Sequence, residues 1–355
     1  MDRERAKAVQ VKIMTKLLDY DVLPPGPDGY PRFRPRKSHA IRRGMDKKAA
    51  NEAEARRSIG VGIGLPDSPR KQNTYRIVLT CQRRADVKGP IVTAARKIVE
   101  EAGGDRKKDI EVIYSGRIRP AGTAKKKAET ETEAPKQLQI GDSVGRRTGF
   151  GGAIGCFVTL AGQQGDFVLS NNHVLAKFNQ GAPLDPILSP ASQKIKDRVG
   201  SLHVFEPIHI GPGGENVVDC ALALVQPGIS CDRTQVHGLG AGPPKQLSGQ
   251  VVTGALSSVE QVRKKGPATG ATVGRVLRAG ETFQMEVTAT KQAWFTGQLA
   301  VKGINKPFAA QGDSGSVAFN ANMDAVGLVC AVSDEEGLTY CNPIAEVLSK
   351  LGATL

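Results

Sequence analysis

From Ile140 to Leu355 the chain is a succession of short apolar runs broken by Gly and Pro, and a helical spacing of apolar residues returns only at Pro343 to Leu351. Runs of that length between turn residues read as the strands of an all-β domain. A hydrophobic content of 39% supplies apolar surface for its core. Two of these runs carry residues with chemical potential. Asp166-Phe167-Val168-Leu169-Ser170 leads into Asn171-Asn172-His173-Val174-Leu175, which sets His173 just past a buried strand end. Val217-Val218-Asp219-Cys220-Ala221-Leu222 holds one carboxylate in an apolar strand. A buried charge is costly unless it is paired and hydrogen-bonded, so Asp219 requires a partner such as an imidazole N–H.

A third stretch, Gln311-Gly312-Asp313-Ser314-Gly315-Ser316, sets a serine between glycines ahead of the apolar Val317-Ala318-Phe319. Glycine admits backbone conformations closed to other residues, and a tight turn of this kind can aim the amides of Gly312 and Ser314 at one point where an oxyanion forms. Taken alone, the stretch reads equally as a surface turn, His173 as a strand cap, and Asp219 as an Asx-turn or ion-pair acid. The order His173, Asp219, Ser314, at separations of 46 and 95 residues, joins them into one candidate site.

With that order and spacing the chain resembles the trypsin/chymotrypsin-like serine proteases, and differs from subtilisins and α/β-hydrolases, whose triads run in other orders. The resemblance covers roughly residues 141 to 355. It includes Thr269-Gly270-Ala271-Thr272-Val273-Gly274, which is similar to a second-barrel segment of bacterial members. Ser170-Asn171-Asn172-His173-Val174-Leu175 together with Gly312-Asp313-Ser314-Gly315-Ser316 looks most like a bacterial branch related to the plant narrow-leaf protein.

The resemblance implies a double six-stranded β-barrel, with His173 and Asp219 from the first barrel, Ser314 from the second, and the site in the cleft between them. It implies a serine endopeptidase acting on a protein or peptide substrate. Ser314 would be the nucleophile, His173 the general base, Asp219 its orienting acid, and the amides of Gly312 and Ser314 the oxyanion hole. No cofactor is implied.

Departures from the family pattern bear on specificity. Phe308 stands six residues before the nucleophile, where trypsins carry an acid for Arg or Lys side chains. Cys330 and Val332 stand on the pocket-wall run Gly327 to Val332 where Ser and Gly are usual, and a branched Val332 should narrow the entrance. Small or apolar residues before the cleaved bond, or a closed resting site, are expected. The disulfide beside the histidine in secreted relatives cannot form, since Val174 follows His173. About 140 residues precede the first barrel, so activation by a new N-terminus pairing with Asp313 is in doubt, although Arg146-Arg147 ahead of Gly149-Phe150-Gly151-Gly152 offers a processing point.

The net charge of +14 is segregated. Residues 137 to 355 hold 17 basic and 17 acidic side chains, whereas residues 1 to 136 hold 32 and 18. Such a basic half is either a solvated extension or an attractor for nucleic acid or an acidic protein. Residues 1 to 58 read as a basic arm, partly helical or disordered, with Ala8, Val11, Met14, Leu17 and Leu18 near one helical face. Residues 59 to 119 read as a small α+β domain. Strands are expected at 58–64, 75–81 and 109–114, with a helix carrying Ile91, Val92, Ala95, Ile98 and Val99 and stopped at Gly103-Gly104. The Gly60-x-Gly62-x-Gly64 series lies in a strand pattern, without the helix that would present N–H groups to a phosphate. Residues 120 to 139 are too polar to bury a core and read as a flexible linker between independent units.

The six cysteines show no zinc-ligand spacing and read as free thiols, so neither a metal nor a cofactor is expected. No run of 18 apolar residues predicts a membrane span, and a charged start without an apolar stretch behind it predicts a cytoplasmic protein. Two readings from other classes stand beside the protease. One is a catalytically silent protease-like domain that binds; the other is a nucleic-acid-linked protein localised by its basic arm.

Overall fold

The computed structural model describes residues 1–36, 45–66, 74–121, 137–147, 149–191, 195–211, 213–253, 256, 261–333 and 335–355. Its C-terminal part is a pair of β-barrels. In the second, strands run in the order Gln261–Gly266, Val317–Phe319, Ala325–Ser333, Leu338–Pro343, Lys291–Gly303 and Gly270–Thr288. The last of these pairs back onto the first, Gln261 opposite Arg275 through Gly266 opposite Gly270, which closes a six-stranded barrel. In the first, the order is Cys156–Leu160, Phe167–Ser170, Ala221–Val225, Arg198–Phe205, Pro186–Leu188, Ser143–Arg146 and Gly151–Ala153. The strands Cys156–Leu160 and Gly151–Ala153, at opposite ends of this run, are joined by Ile154 and Gly155 alone, so the sheet curls round on itself. This is the chymotrypsin-like all-β double barrel.

Helix Ile344–Leu351 leaves the second barrel and buries Ile344, Val347 and Leu348 in the core of the first. Gly352, in the left-handed region at φ 62°, ends it, and Ala353–Thr354 then pairs with the strand Cys156–Leu160. Phe319, Val317 and Leu328 of the second barrel share that same core, which fixes the two barrels against each other.

The N-terminal half is not a separate unit. Strand Ile59–Gly64 pairs with Gly270–Thr288 of the second barrel, then Arg76–Cys81 follows antiparallel and Ile110–Tyr114 parallel to it, all in one ten-stranded sheet. The glycine series explains the fusion. A Cβ on Gly60 would strike the carbonyl of Thr282, and one on Gly62 the carboxylate of Glu281. Bare backbone therefore lets the strands close around a buried polar cluster, in which Thr80 Oγ1 donates to Glu281 Oε1 at 2.6 Å and accepts from Arg278 Nη1 at 2.6 Å. Burial pushes the Glu281 carboxyl above its ordinary range, with Arg278 opposing the rise.

The expected helix and strands are present as Arg3–Lys16, Pro90–Glu101, Ile59–Gly64, Arg76–Cys81 and Ile110–Tyr114. The buried face of the first helix is rotated from the expected one: it presents Ala6, Val9, Gln10, Ile13 and Met14. The reason is Gln10, whose amide donates to the carbonyls of Val61 and Gly280 at 3.0 and 2.8 Å and pins the helix over the shared sheet.

Residues 1–58 are correspondingly not a free arm in their described part. Arg3, Arg36 and Arg57 bond Asp28, Asp21 and Gln292, and Arg32 pairs with Glu346 of the C-terminal helix. Much of the basic charge of this stretch is thus engaged within the molecule; the Lys37 to Arg43 portion lies outside the described residues. Of the segment 120–139, residues 122–136 lie outside the described residues, while its two ends are in strands. Ile118–Pro120 pairs with Ala331–Ser333, and Gln137–Leu138 with Ser230–Cys231. Among the described residues no helix is long and apolar enough to cross a membrane.

Candidate active site

The cleft between the barrels collects the three residues singled out by order and spacing. His173 sits in the helical turn Asn172–Leu175 that directly follows strand Phe167–Ser170. Asp219 lies two residues before strand Ala221–Val225, and the pairing of Ser170 with Ala221 brings the two together. Ser314 enters from the second barrel ahead of Val317–Phe319. All three are fully buried. His173 Nδ1 bonds Asp219 Oδ2, the His173 amide donates to Asp219 Oδ1 at 3.1 Å, and His173 Nε2 lies 2.8 Å from Ser314 Oγ. A carboxylate can only accept, so Nδ1 carries the proton and Nε2 is left to accept from the serine hydroxyl.

Amides hold this arrangement from behind. Asn342 Oδ1 accepts from the Asp219 N–H at 2.9 Å, and Asn171 Nδ2 donates to the Asp219 carbonyl at 2.7 Å. Asn342 Nδ2 donates to Gln298 Oε1 at 2.6 Å, and Gln298 Nε2 to the Val217 carbonyl at 2.6 Å. The second barrel thereby grips the segment that carries the acid, just ahead of strand Ala221–Val225. Phe178 stacks on the His173 ring at 5.6 Å between centroids, and Phe150 meets it edge-on at 6.5 Å.

The serine turn requires its glycines. Gly312 has φ 107° and Gly315 φ 88°, values that side chains rarely reach; a Cβ on Gly315 would also strike Ser170 Oγ and the Ala153 carbonyl. Between them the buried Asp313 accepts from the amides of Ala268, Thr269 and Ala310 at 2.9, 3.2 and 3.0 Å, and from Thr269 Oγ1 at 2.7 Å. Its counter-charge is Lys264 Nζ at 3.0 Å, also fully buried. Burial pulls the lysine below its ordinary range, and Asp313 draws it back up. The ammonium facing Asp313 thus comes from inside the second barrel. Arg146, the proposed processing point, is held in strand Ser143–Arg146 by a 2.7 Å ion pair with Asp185.

Of the two amides assigned to an oxyanion, that of Gly312 donates to the carbonyl of Ala121. Phe308 is fully buried and packs in the same cluster as Ala121, and its carbonyl accepts from Thr272 Oγ1 at 2.7 Å. The Cys330 thiol donates to the Tyr340 carbonyl at 3.3 Å and accepts from Asn342 Nδ2 at 3.4 Å. Burial, reinforced by the charge of Asp219, raises it well above the usual thiol range, so it stays a neutral thiol. Val332 pairs with Arg119. All six cysteines are free thiols.

Sequence reasoning missed Lys264, Asn342 and the strand Ile118–Pro120 with Ala121 after it. For Lys264 a signal existed: it alternates with Val262 and Gly266, so it falls on the inward register of its strand. Asn342, between Cys341 and Pro343 in an apolar strand, is a similar buried polar residue without a local partner.

The chain matches none of the protein-family models and none of the curated proteins compared with it. Solved structures are similar to it at low identity. Thermobifida fusca protease A is 16% identical, with 62% of this chain and 98% of that chain covered and a TM-score of 0.44. A glutamic-acid-specific serine protease that uses a histidine triad in substrate binding is 19% identical, with 61% and 100% covered and a TM-score of 0.45. A Nocardiopsis protease is 15% identical, with 62% and 98% covered and a TM-score of 0.43. All three are trypsin/chymotrypsin-like serine proteases.

Proposed function

We propose that the protein is a serine endopeptidase. The observation that carries this reading is Ser314 Oγ lying 2.8 Å from His173 Nε2 while the other ring nitrogen faces a buried carboxylate. In the mechanism, Ser314 attacks a peptide carbonyl as His173 takes its proton, and His173 later protonates the leaving amine. Asp219 fixes the tautomer and stabilises the imidazolium. The Gly312 amide stabilises the developing oxyanion, with the Ser314 amide as the second donor; loss of one such donor costs on the order of 10²-fold or more in rate. The finer placement, beside bacterial relatives of the plant narrow-leaf protein, rests on the sequences around His173 and Ser314 alone. Six free thiols suit a reducing compartment such as the cytoplasm.

Covalent labelling by a fluorophosphonate probe tests the assignment. Ser314 should be the modified residue, and Ser314→Ala and His173→Ala should both abolish labelling while keeping the native circular dichroism spectrum. Labelling that survives in Ser314→Ala would remove the assignment.

Specificity follows from Phe308. Its apolar ring offers no charge to a buried cation, and desolvating an unpaired cation is costly. Peptides with Ala, Val or Leu before the cleaved bond should therefore be cut in preference to Arg or Lys peptides, and a peptide library read by mass spectrometry measures this. Dominance of Arg or Lys would place an acidic determinant elsewhere. A second reading, a closed domain that binds without turning over, is favoured by one observation, the Ala121 carbonyl on the Gly312 amide.

A further inference from the structure

That carbonyl belongs to a strand seated along the cleft wall. Where Val317–Phe319 leaves the side of Ala325–Ser333, its place is taken by Ile118–Pro120, antiparallel, with Ile118 opposite Ser333, Arg119 opposite Val332 and Pro120 opposite Ala331. The next residue, Ala121, donates its N–H to the Cys330 carbonyl at 3.1 Å and offers its own carbonyl to the Gly312 amide. Its methyl group is fully buried and packs in the cluster that contains Phe308 and Ala309. Pro120 has no N–H to contribute, which an edge strand tolerates.

Each of these contacts is one that an extended substrate makes. Backbone bonds to a free strand edge fix the register, a small side chain is buried among apolar residues, and the carbonyl of the reacting bond meets an oxyanion donor. A strand docked merely as structure needs the ladder bonds; it has no need to put a carbonyl on the amide beside Ser314.

We propose that Ile118–Ala121 is the chain's own substrate strand and that Ser314 cleaves the bond between Ala121 and Gly122. The proposal rests on the endopeptidase reading above. Ser314 Oγ adds to the Ala121 carbonyl carbon and its proton passes to His173. The bond to the Gly122 nitrogen breaks as His173 returns the proton to that nitrogen, which leaves as an amine. A solvent water, deprotonated by His173, then attacks the Ala121–Ser314 ester. Ala121 departs as a carboxylic acid and Ser314 recovers its proton. The fragment ending at Ala121 remains bound, because Ile59–Gly64 is paired into the barrel sheet and the Ile118–Pro120 strand lies in the cleft. It acts there as a product inhibitor.

The test combines intact-mass measurement with labelling. Wild-type protein should resolve, after denaturation, into a fragment ending at Ala121 and one beginning at Gly122 that co-elute under native conditions, whereas Ser314→Ala stays whole. Ala121→Lys puts a long cation against an apolar pocket. It should stay uncut at this bond and react with a fluorophosphonate roughly tenfold faster or more, since the fraction of open sites rises. Wild type that remains whole, or is cut elsewhere, while Ala121→Lys is labelled at Ser314 would overturn self-cleavage and leave the endopeptidase reading standing. Wild type that remains whole while neither protein is labelled would overturn both.

Discussion

Asp219→Asn should lower kcat/KM by about 10⁴ with little change in the fold. The acid's backbone is held independently of its carboxylate: Asn342 accepts from its N–H and Asn171 donates to its carbonyl, so the segment stays where it is. What changes is the sign of the contact at Nδ1. An amide can present an N–H to that nitrogen, which favours the tautomer with its proton on Nε2, and a protonated Nε2 cannot accept from Ser314. The substituted protein should also fail to stabilise the imidazolium formed during attack. Steady-state kinetics on a peptide with Ala before the cleaved bond, alongside near-ultraviolet circular dichroism, measures both halves of the expectation. A loss below tenfold with intact structure would mean that Asp219 does not orient His173.

Lys264→Met should cost about 3–5 kcal/mol of unfolding free energy, because it leaves the Asp313 carboxylate buried without its counter-charge. The four remaining donors to Asp313 hold the figure toward the lower end. Activity should fall as well, since Asp313 braces the backbone between Gly312 and Ser314 through the amides of Ala268, Thr269 and Ala310. Adding Asp313→Asn to Lys264→Met removes the orphaned charge and should recover part of the stability without recovering the rate. Urea unfolding of the three proteins decides the matter. A change under 1 kcal/mol in the single variant would show that the ion pair is not what holds this turn.

The barrel half was legible because its signals are local. Strand lengths, the glycines around Ser314 and the C-terminal helix each follow from residues within a few positions. In the N-terminal half the first helix, the three strands and the helix Pro90–Glu101 were legible, but the hairpin of Tyr20–Leu23 with Arg32–Pro35, the helix Lys47–Ser58 and the attachment to the barrel were not. Nothing near Gly60 or Gly62 announces that Glu281 and Thr282 will press against them from more than 200 residues away. A glycine in a strand signals close approach, yet not by what. The basic arm misled for a related reason. A run of Arg with Pro reads as solvated when its acids are distant in sequence, and Arg32 finds Glu346. The passage from the expected small domain into the expected linker was misjudged because Ile118-Arg119-Pro120-Ala121 is too short and mixed to register as a strand. Only a cleft edge with free backbone groups makes it one.

The shared sheet also sets an order of events during synthesis. Strand Ile59–Gly64 leaves the ribosome early and finds Arg76–Cys81 on one side at once. Its other partner, Gly270–Thr288, lies about 200 residues later, a delay of roughly 10–40 s at ordinary elongation rates. Through that interval the growing chain carries an open β edge of alternating glycine and branched apolar residues, the kind of edge that templates pairing with another chain. The nascent protein must therefore be shielded, or kept dilute, until the second barrel arrives to cap it. Overproduction that outruns this capping step should send the chain into aggregates through Ile59–Gly64, whatever the stability of the finished fold.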